Sequence, residues 1–242
     1  MATFGCLARY FRSLESEVAF ARANGFAFLQ LWYDHRGLCL DGSSPVDLVR
    51  IRNAGMPTII HAVMELQALE AGAADLLDTV QALDHRELII HPVCQEEPIT
   101  AAATGRLSAA MGRLLATLRP RGVTVFLENN SRLDPIFQTV EDVDRVLGEN
   151  PDLEFLLDVA HMDDLDHLRR LVAIKRPRLL HVADRRQATV HEHLPIGEGD
   201  IDFGYVFREI LPDYRDRIIL EVVQGDEAIV ASRTRLEGLL ES

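Results

Sequence analysis

Short runs of β-branched and apolar residues alternate along the chain with longer stretches whose apolar positions recur every three or four residues. The short runs predict strands over residues 3–7, 26–33, 58–61, 88–91, 123–128, 154–158, 179–183 and 218–222. The longer stretches predict helices over 14–24, 46–54, 66–83, 109–118, 140–147, 165–174, 203–211 and 227–240. Strand then helix, eight times within 242 residues, is the pattern of an α/β protein folded as a single (β/α)8 TIM barrel, with residues 1–242 as one domain. The punctuation agrees. Asn24-Gly25, Gly55, Arg121-Gly122 and Asn150-Pro151-Asp152 fall where a helix should stop and the next strand begin, and Asp202 precedes an apolar helix in the manner of an N-cap. The competing architecture, an open doubly wound sheet, lacks a Gly-x-Gly-x-x-Gly turn after its first strand.

The residues that close the apolar runs move the reading from fold to chemistry. The third strand closes on His61, the fourth on His91, the fifth on Glu128, the sixth on Asp158, the seventh reaches His181 and the eighth Glu221. Separations of 30, 37, 30, 23 and 40 residues place one such group on each strand. The C-terminal strand ends of a barrel converge on one mouth, so these six groups are expected to face one another. Taken singly, a strand-end His or Asp is commonly a hydrogen-bonded loop residue. Three imidazoles and three carboxylates around one cavity are harder to explain as packing, because burying charges without partners is expensive. A divalent metal removes that cost. Nitrogen and carboxylate donors suit zinc, manganese or iron, and the lack of a Cys pair argues against a structural thiolate zinc site.

His161, three residues after Asp158, lies one turn on if the loop begins helically. The loop after the seventh strand carries His191 and His193, which point the same way if extended, and Gly197 and Gly199 allow it to bend over the mouth. Trp32, Tyr33 and Phe4 read either as an apolar wall beside the site or as packing, and Arg9, Arg12, Arg36, Arg185 and Arg186 either as phosphate binders at the mouth or as solvated cations. His35, His85 and His167 lie away from strand ends and read as surface or structural.

Composition narrows the partners. With 25 Lys+Arg against 38 Asp+Glu the net charge is −13, which disfavours broad attraction to nucleic acids or anionic membranes. At 48% hydrophobic and 26% charged the chain has ample material for a core. Cys6, Cys39 and Cys94 form no disulfide framework, and the first residues show no basic region followed by an apolar stretch, so the cytoplasm is the expected address. No apolar run is long enough to read as a membrane span.

The ordered set His61, His91, Glu128, Asp158-x-x-His161, His181, His191-x-His193-x-x-x-Gly197-x-Gly199 and Glu221 resembles the superfamily that joins xylose isomerase-like sugar isomerases and epimerases with endonuclease IV. For the epimerase branch the resemblance implies one metal on Glu128, Asp158, His181 and Glu221. For the endonuclease IV branch it implies three zincs: one on His61, His91 and Glu128, a second on Glu128, Asp158, His181 and Glu221, and a third on His161, His191 and His193. That branch carries an aspartate where this chain has His191.

Two chemistries follow, each with a divalent metal cofactor, Zn or Mn, as one to three ions. The first is isomerisation or epimerisation of a carbohydrate-like small molecule such as a keto sugar, a sugar phosphate or a related polyol. A metal that chelates adjacent carbonyl and hydroxyl oxygens acidifies the C–H between them, with Glu128 and Glu221 as paired base and acid and His161 bonding a substrate oxygen. The second is phosphoester hydrolysis by a zinc cluster, favoured by histidines that a one-metal isomerase does not need. A DNA substrate is disfavoured by the first strand's ending, Cys6-Leu7-Ala8-Arg9-Tyr10, and by short connecting loops. A non-catalytic metal-binding module is the third class and predicts bound metal without turnover. A homo-oligomer is compatible with any of them.

Overall fold

The computed structural model describes residues 2–40, 44–45 and 48–241. In chain order the first half comprises β1 (Thr3–Leu7), α1 (Leu14–Ala23), β2 (Phe28–Asp34), β3 (Gly37–Leu40), β4 (Ser44–Pro45), α2 (Leu48–Asn53), β5 (Thr58–Glu65), α3 (Leu66–Glu70), α4 (Ala74–Ala82), β6 (Glu87–Val93) and α5 (Ala101–Leu118). The second half comprises β7 (Thr124–Glu128), α6 (Val140–Glu149), β8 (Glu154–Asp158), α7 (Leu165–Ile174), β9 (Leu179–Val182), α8 (Phe203–Tyr205), β10 (Arg217–Leu220) and α9 (Asp226–Glu241). The strands β1, β2 and β5 to β10 pair in parallel, and β1 hydrogen-bonds both β2 and β10, which closes an eight-stranded barrel inside a ring of helices. Several helices start where a side chain accepts an otherwise unpaired backbone N–H: Ser13, Thr100, Thr139, Asp164 and Asp202 cap α1, α5, α6, α7 and α8. Among the described residues no helix is long and apolar enough to cross a membrane.

The barrel interior is built in layers. Phe28, Ile59, Ile89, Phe126, Leu156, Leu179 and Ile219, one from each barrel strand except β1, form a buried apolar cluster separate from the larger core between sheet and helices. Below them the Arg217 guanidinium lies 5.8 Å from the Phe28 ring centroid and 5.6 Å from that of Phe126, and it pairs with Glu87 across the lumen. This ion pair with its two rings plugs the N-terminal end. On β1 the lumen position is Gly5, where a Cβ would overlap the Phe28 ring. The Phe28 ring takes the volume that a side chain on β1 would otherwise fill.

The element boundaries differ from the sequence reading in instructive places. The second strand starts at Phe28 rather than residue 26, because Phe26 N–H still bonds Ala21 O at the end of α1. The third and fourth strands do not end at His61 and His91, since the β5–β6 ladder continues to Glu65 and Val93. The helix expected over 66–83 is broken into α3 and α4, with Gly72 and Ala73 at φ 95° and 49°. Val46 and Asp47, the first residues of another expected helix, lie outside the described residues. The helix expected from 109 begins at Ala101, where Thr100 caps it. Over 203–211 the α-helix lasts a single turn and continues as a π-helical segment, Val206–Ile210. The antiparallel extension β2–β3–β4 was not anticipated.

Gly5→Ala is expected to cost about 1–3 kcal/mol, the range for overpacking a filled core. Urea unfolding of the variant checks this, and an unchanged midpoint would show that the lumen has slack at Phe28.

Candidate metal centre

The second residue after each apolar lumen residue points the same way along a strand, so the apolar layer dictates what stands above it. Two positions on from Phe28, Ile59, Ile89, Phe126, Leu156, Leu179 and Ile219 come Gln30, His61, His91, Glu128, Asp158, His181 and Glu221. The upper layer therefore holds all six expected strand-end residues, and Gln30 with them. His61 and His91 reach it from mid-strand and Glu221 from just beyond β10.

Glu128 is the hub. Its Oε2 lies 2.7 Å from His61 Nε2 and 2.9 Å from His91 Nδ1, while Oε1 lies 2.9 Å from His181 Nδ1. His181 Nδ1 also faces Glu221 Oε1 at 3.3 Å and Asp158 Oδ2 at 3.9 Å. Glu221 Oε2 faces His193 Nδ1 at 3.4 Å. His161 Nδ1 donates to the Asn129 carbonyl at 2.9 Å, and this assigns its lone pair to Nε2, 3.5 Å from Asp158 Oδ2. The His191 ring centroid lies 4.9 Å from those of His161 and His193, so the loop histidines complete a third group above the layer. All nine expected ligand residues are thus brought together.

Burial sets the electrostatics. It works against the charge on Glu128, but His181, His91 and His61 outweigh it and hold the carboxyl well below its ordinary range. Burial opposes the charged ring of His181, yet Glu221 and Glu128 raise it to about 9, and Glu221 is correspondingly held near 2 by His181 and His193 against its own burial. Burial pushes Asp158 up to about 7, with Glu128 and Glu221 adding to the rise and His193 opposing it. His161 falls to about 3 through burial, more than Glu128 can offset, and His191 to about 4 through burial and the neighbouring imidazoles.

A divalent cation fits this donor set. Asp158 Oδ2, His161 Nε2, His193 Nε2 and His61 Nδ1 are buried without a hydrogen-bond partner, each at an ordinary cost of about 1–3 kcal/mol. Ligand atoms within 4.8 Å of one another fall into the groups Glu128–Asp158–His181–Glu221, His61–His91–Glu128, His61–His181–Glu221 and His161–His191–His193. The donors are nitrogen and oxygen throughout, suited to zinc or manganese.

The loop that carries His191 and His193 is held by Asp184. Asp184 is buried two residues beyond β9; its Oδ2 accepts from Gly197 and Gly199 N–H at 2.8 and 2.9 Å, and its Oδ1 from Arg185 and Ile201 N–H at 2.8 and 3.2 Å. A backbone bridge from Asp184 to Leu194 completes the clasp. A Cβ on Gly199 would meet the Asp184 carboxylate and the Arg185 backbone, so the loop passes there only as glycine.

Among the flanking residues, half-buried Trp32 stands edge-on to His61 with 5.5 Å between ring centroids. Phe4 and Tyr33 belong to the outer core. The five arginines are engaged by the protein: Arg9 by Glu17 and Asp226, Arg12 by Asp226, Arg36 by Asp34, Arg185 by the Met162 and Thr189 carbonyls, and Arg186 by Glu192. His35 is exposed, His85 Nε2 bonds Thr58 Oγ1 at 2.8 Å, and His167 Nε2 donates to the Gln138 carbonyl at 3.1 Å. Sequence reading missed Gln30, Asn129 and Asp184. Gln30 did leave a signal, as an amide interrupting the apolar run Phe28-Leu29-Gln30-Leu31.

Residues 65–239 match the family described as xylose isomerase-like TIM barrel. No curated protein matches the chain in sequence. Similar solved structures include a D-tagatose 3-epimerase-like protein (17% identity, TM-score 0.78, covering 99% of this chain and 97% of the other) and a D-allulose 3-epimerase from Methylomonas sp. (16%, 0.79, 99% and 98%). Endonuclease IV from Thermus thermophilus is also similar (20%, 0.68, 99% of both chains). At these identities the likeness is one of fold.

Asp184→Ala removes the acceptor of four backbone N–H groups and is expected to loosen residues 185–201 at a cost of about 1–3 kcal/mol. Hydrogen exchange should quicken in that loop while the barrel strands keep their protection. Unchanged exchange there would show that the loop is held by other contacts.

Proposed function

The chain belongs to the xylose isomerase-like TIM-barrel family, and from that premise we propose that it is a divalent-metal-dependent isomerase or epimerase of a keto sugar, sugar phosphate or related polyol, with residues 1–242 as one catalytic domain. One observation carries this reading: Glu128, Asp158, His181 and Glu221 present four buried donors to one point in the mouth of the barrel. These four residues would hold the ion, zinc or manganese. When bound, such an ion polarises a substrate carbonyl and makes the neighbouring C–H more acidic.

The chain's own groups supply the rest. Glu128 and Glu221 come from strands three apart in the barrel, β7 and the residue just beyond β10, so they can flank a substrate and take and return a proton. His161, whose Nδ1 is taken by the Asn129 carbonyl, keeps Nε2 to bond a substrate oxygen. Trp32 offers an apolar face to the C–H surface of the sugar.

A specific observation favours a second reading. The two oxygens of Glu128 are divided between His61 and His91 on one side and His181 on the other, and His161, His191 and His193 form a further group. Donors for more than one ion suit hydrolysis of a phosphoester.

Metal analysis and turnover separate the two. The isomerase reading expects one tightly held metal per chain and exchange of a substrate α-proton with solvent across a panel of ketoses and keto acids. Glu128→Gln and Glu221→Gln should each slow that exchange by about 100-fold or more. Two or three zincs with cleavage of an abasic-site duplex would establish the second reading instead. Bound metal with no turnover, and variants that change only metal affinity, would sink both. Irrespective of the reaction, metal at about 100 times its Kd should raise stability by about 2.7 kcal/mol, and a chelator should remove the gain.

A further inference from the structure

Gln30 is the polar member of the upper lumen layer that is not a metal-ligand type, and it is fully buried. Its Nε2 donates to Glu221 Oε1 at 2.6 Å, and its Oε1 lies 2.7 Å from His181 Nε2. The neighbours set the direction of the amide. A carboxylate oxygen accepts and does not donate, so the NH2 faces Glu221 and the carbonyl faces the ring. A carbonyl at 2.7 Å from a ring nitrogen requires that nitrogen to carry a proton. The other nitrogen, Nδ1, is then aimed at Glu128 Oε1, Glu221 Oε1 and Asp158 Oδ2, at 2.9, 3.3 and 3.9 Å.

We infer that Gln30 is a positioning residue: it keeps the proton on His181 Nε2, reserves Nδ1 for the ion shared with Glu128, Asp158 and Glu221, and steers Glu221 Oε1 toward the same point. A ligating histidine ordinarily hands its second N–H to a carboxylate, a backbone carbonyl or water. Here a neutral side-chain amide does this and holds a second ligand at the same time. It adds no charge to a lumen that already buries Glu128, Asp158 and Glu221. No solvent reaches Gln30 to replace either bond, so its loss leaves both partners unpaired. The strand β2 thereby contributes to the site without providing a ligand.

The inference rests on the metal reading above, and the experiment keeps the two apart. In 15N-histidine-labelled protein, His181 should show an Nε2–H resonance in slow exchange with solvent, in both the metal-free and the zinc-loaded forms. Gln30→Met, close in volume, and Gln30→Leu should each lose that protection. Zinc affinity should fall about 10–100-fold, and the visible spectrum of the cobalt-substituted protein should shift. Gln30→Glu restores an acceptor for the ring and should recover the slow Nε2–H exchange. Protection unchanged in Gln30→Met, affinity unchanged with an unshifted cobalt spectrum, or a wild-type ring ligating through Nε2 would each overturn the assignment. If wild-type protein binds neither zinc nor cobalt, the metal reading falls, and Nε2–H exchange in metal-free Gln30→Met against wild type still decides for or against Gln30.

Discussion

The two-residue period of an inward-facing strand organises this molecule. A closed barrel has one inside, and along each strand every second side chain must enter it. Seven strands spend one inward position on an apolar residue and the next on a polar one, so a dry plug and a polar floor are stacked within one residue pair of each strand. The plug does more than fill space. It excludes water from beneath the carboxylates, and a carboxylate without water must find imidazoles, an amide or an ion.

Glu128 shows how far that demand is met by the chain. Three imidazoles meet its two oxygens, and their combined charge preference keeps it ionised in spite of complete burial. Asp158 fares differently: one oxygen accepts from the Ala160 and His161 backbone N–H groups, and the other has no hydrogen-bond partner among the described residues. The imbalance between a saturated Glu128 and an unsatisfied Asp158 marks the part of the floor where a cation has the most to offer. Proteins with perturbed, partly unsatisfied groups in a concave mouth are often enzymes, since the same arrangement that costs stability supplies chemistry.

Around this floor the supports differ in kind. His161 is oriented by a backbone carbonyl, His181 by the Gln30 amide, and the pair His191 and His193 by a loop clasped on Asp184. The first comes from the residue that follows β7 and the second from within β2. The third is local to one connection, the loop that carries both His191 and His193. The same scaffold hosts epimerases and a nuclease among similar structures, as expected when a barrel keeps its strands and varies what its loops bring to the mouth.

The sequence by itself determined the alternation of strands and helices, and hence the barrel. It also determined the series His61, His91, Glu128, Asp158, His181 and Glu221, because one polar residue after an apolar run, repeated at the spacing of a βα unit, is a local and periodic signal. Tertiary structure decided what no local pattern encodes. His61 and His91 belong to the same layer although their strands run on past them, because the level of a residue in the barrel depends on register with neighbouring strands. The arginines that read in sequence either as phosphate binders or as solvated cations are taken up by carboxylates and carbonyls distant in sequence, such as Asp226 for Arg9 and Met162 for Arg185. Gln30 was visible as a polar interruption in an apolar run, but its bonds to His181 and Glu221 span 151 and 191 residues. Such pairings exist only once the sheet has closed, since closure is what turns eight separate strands toward one shared interior.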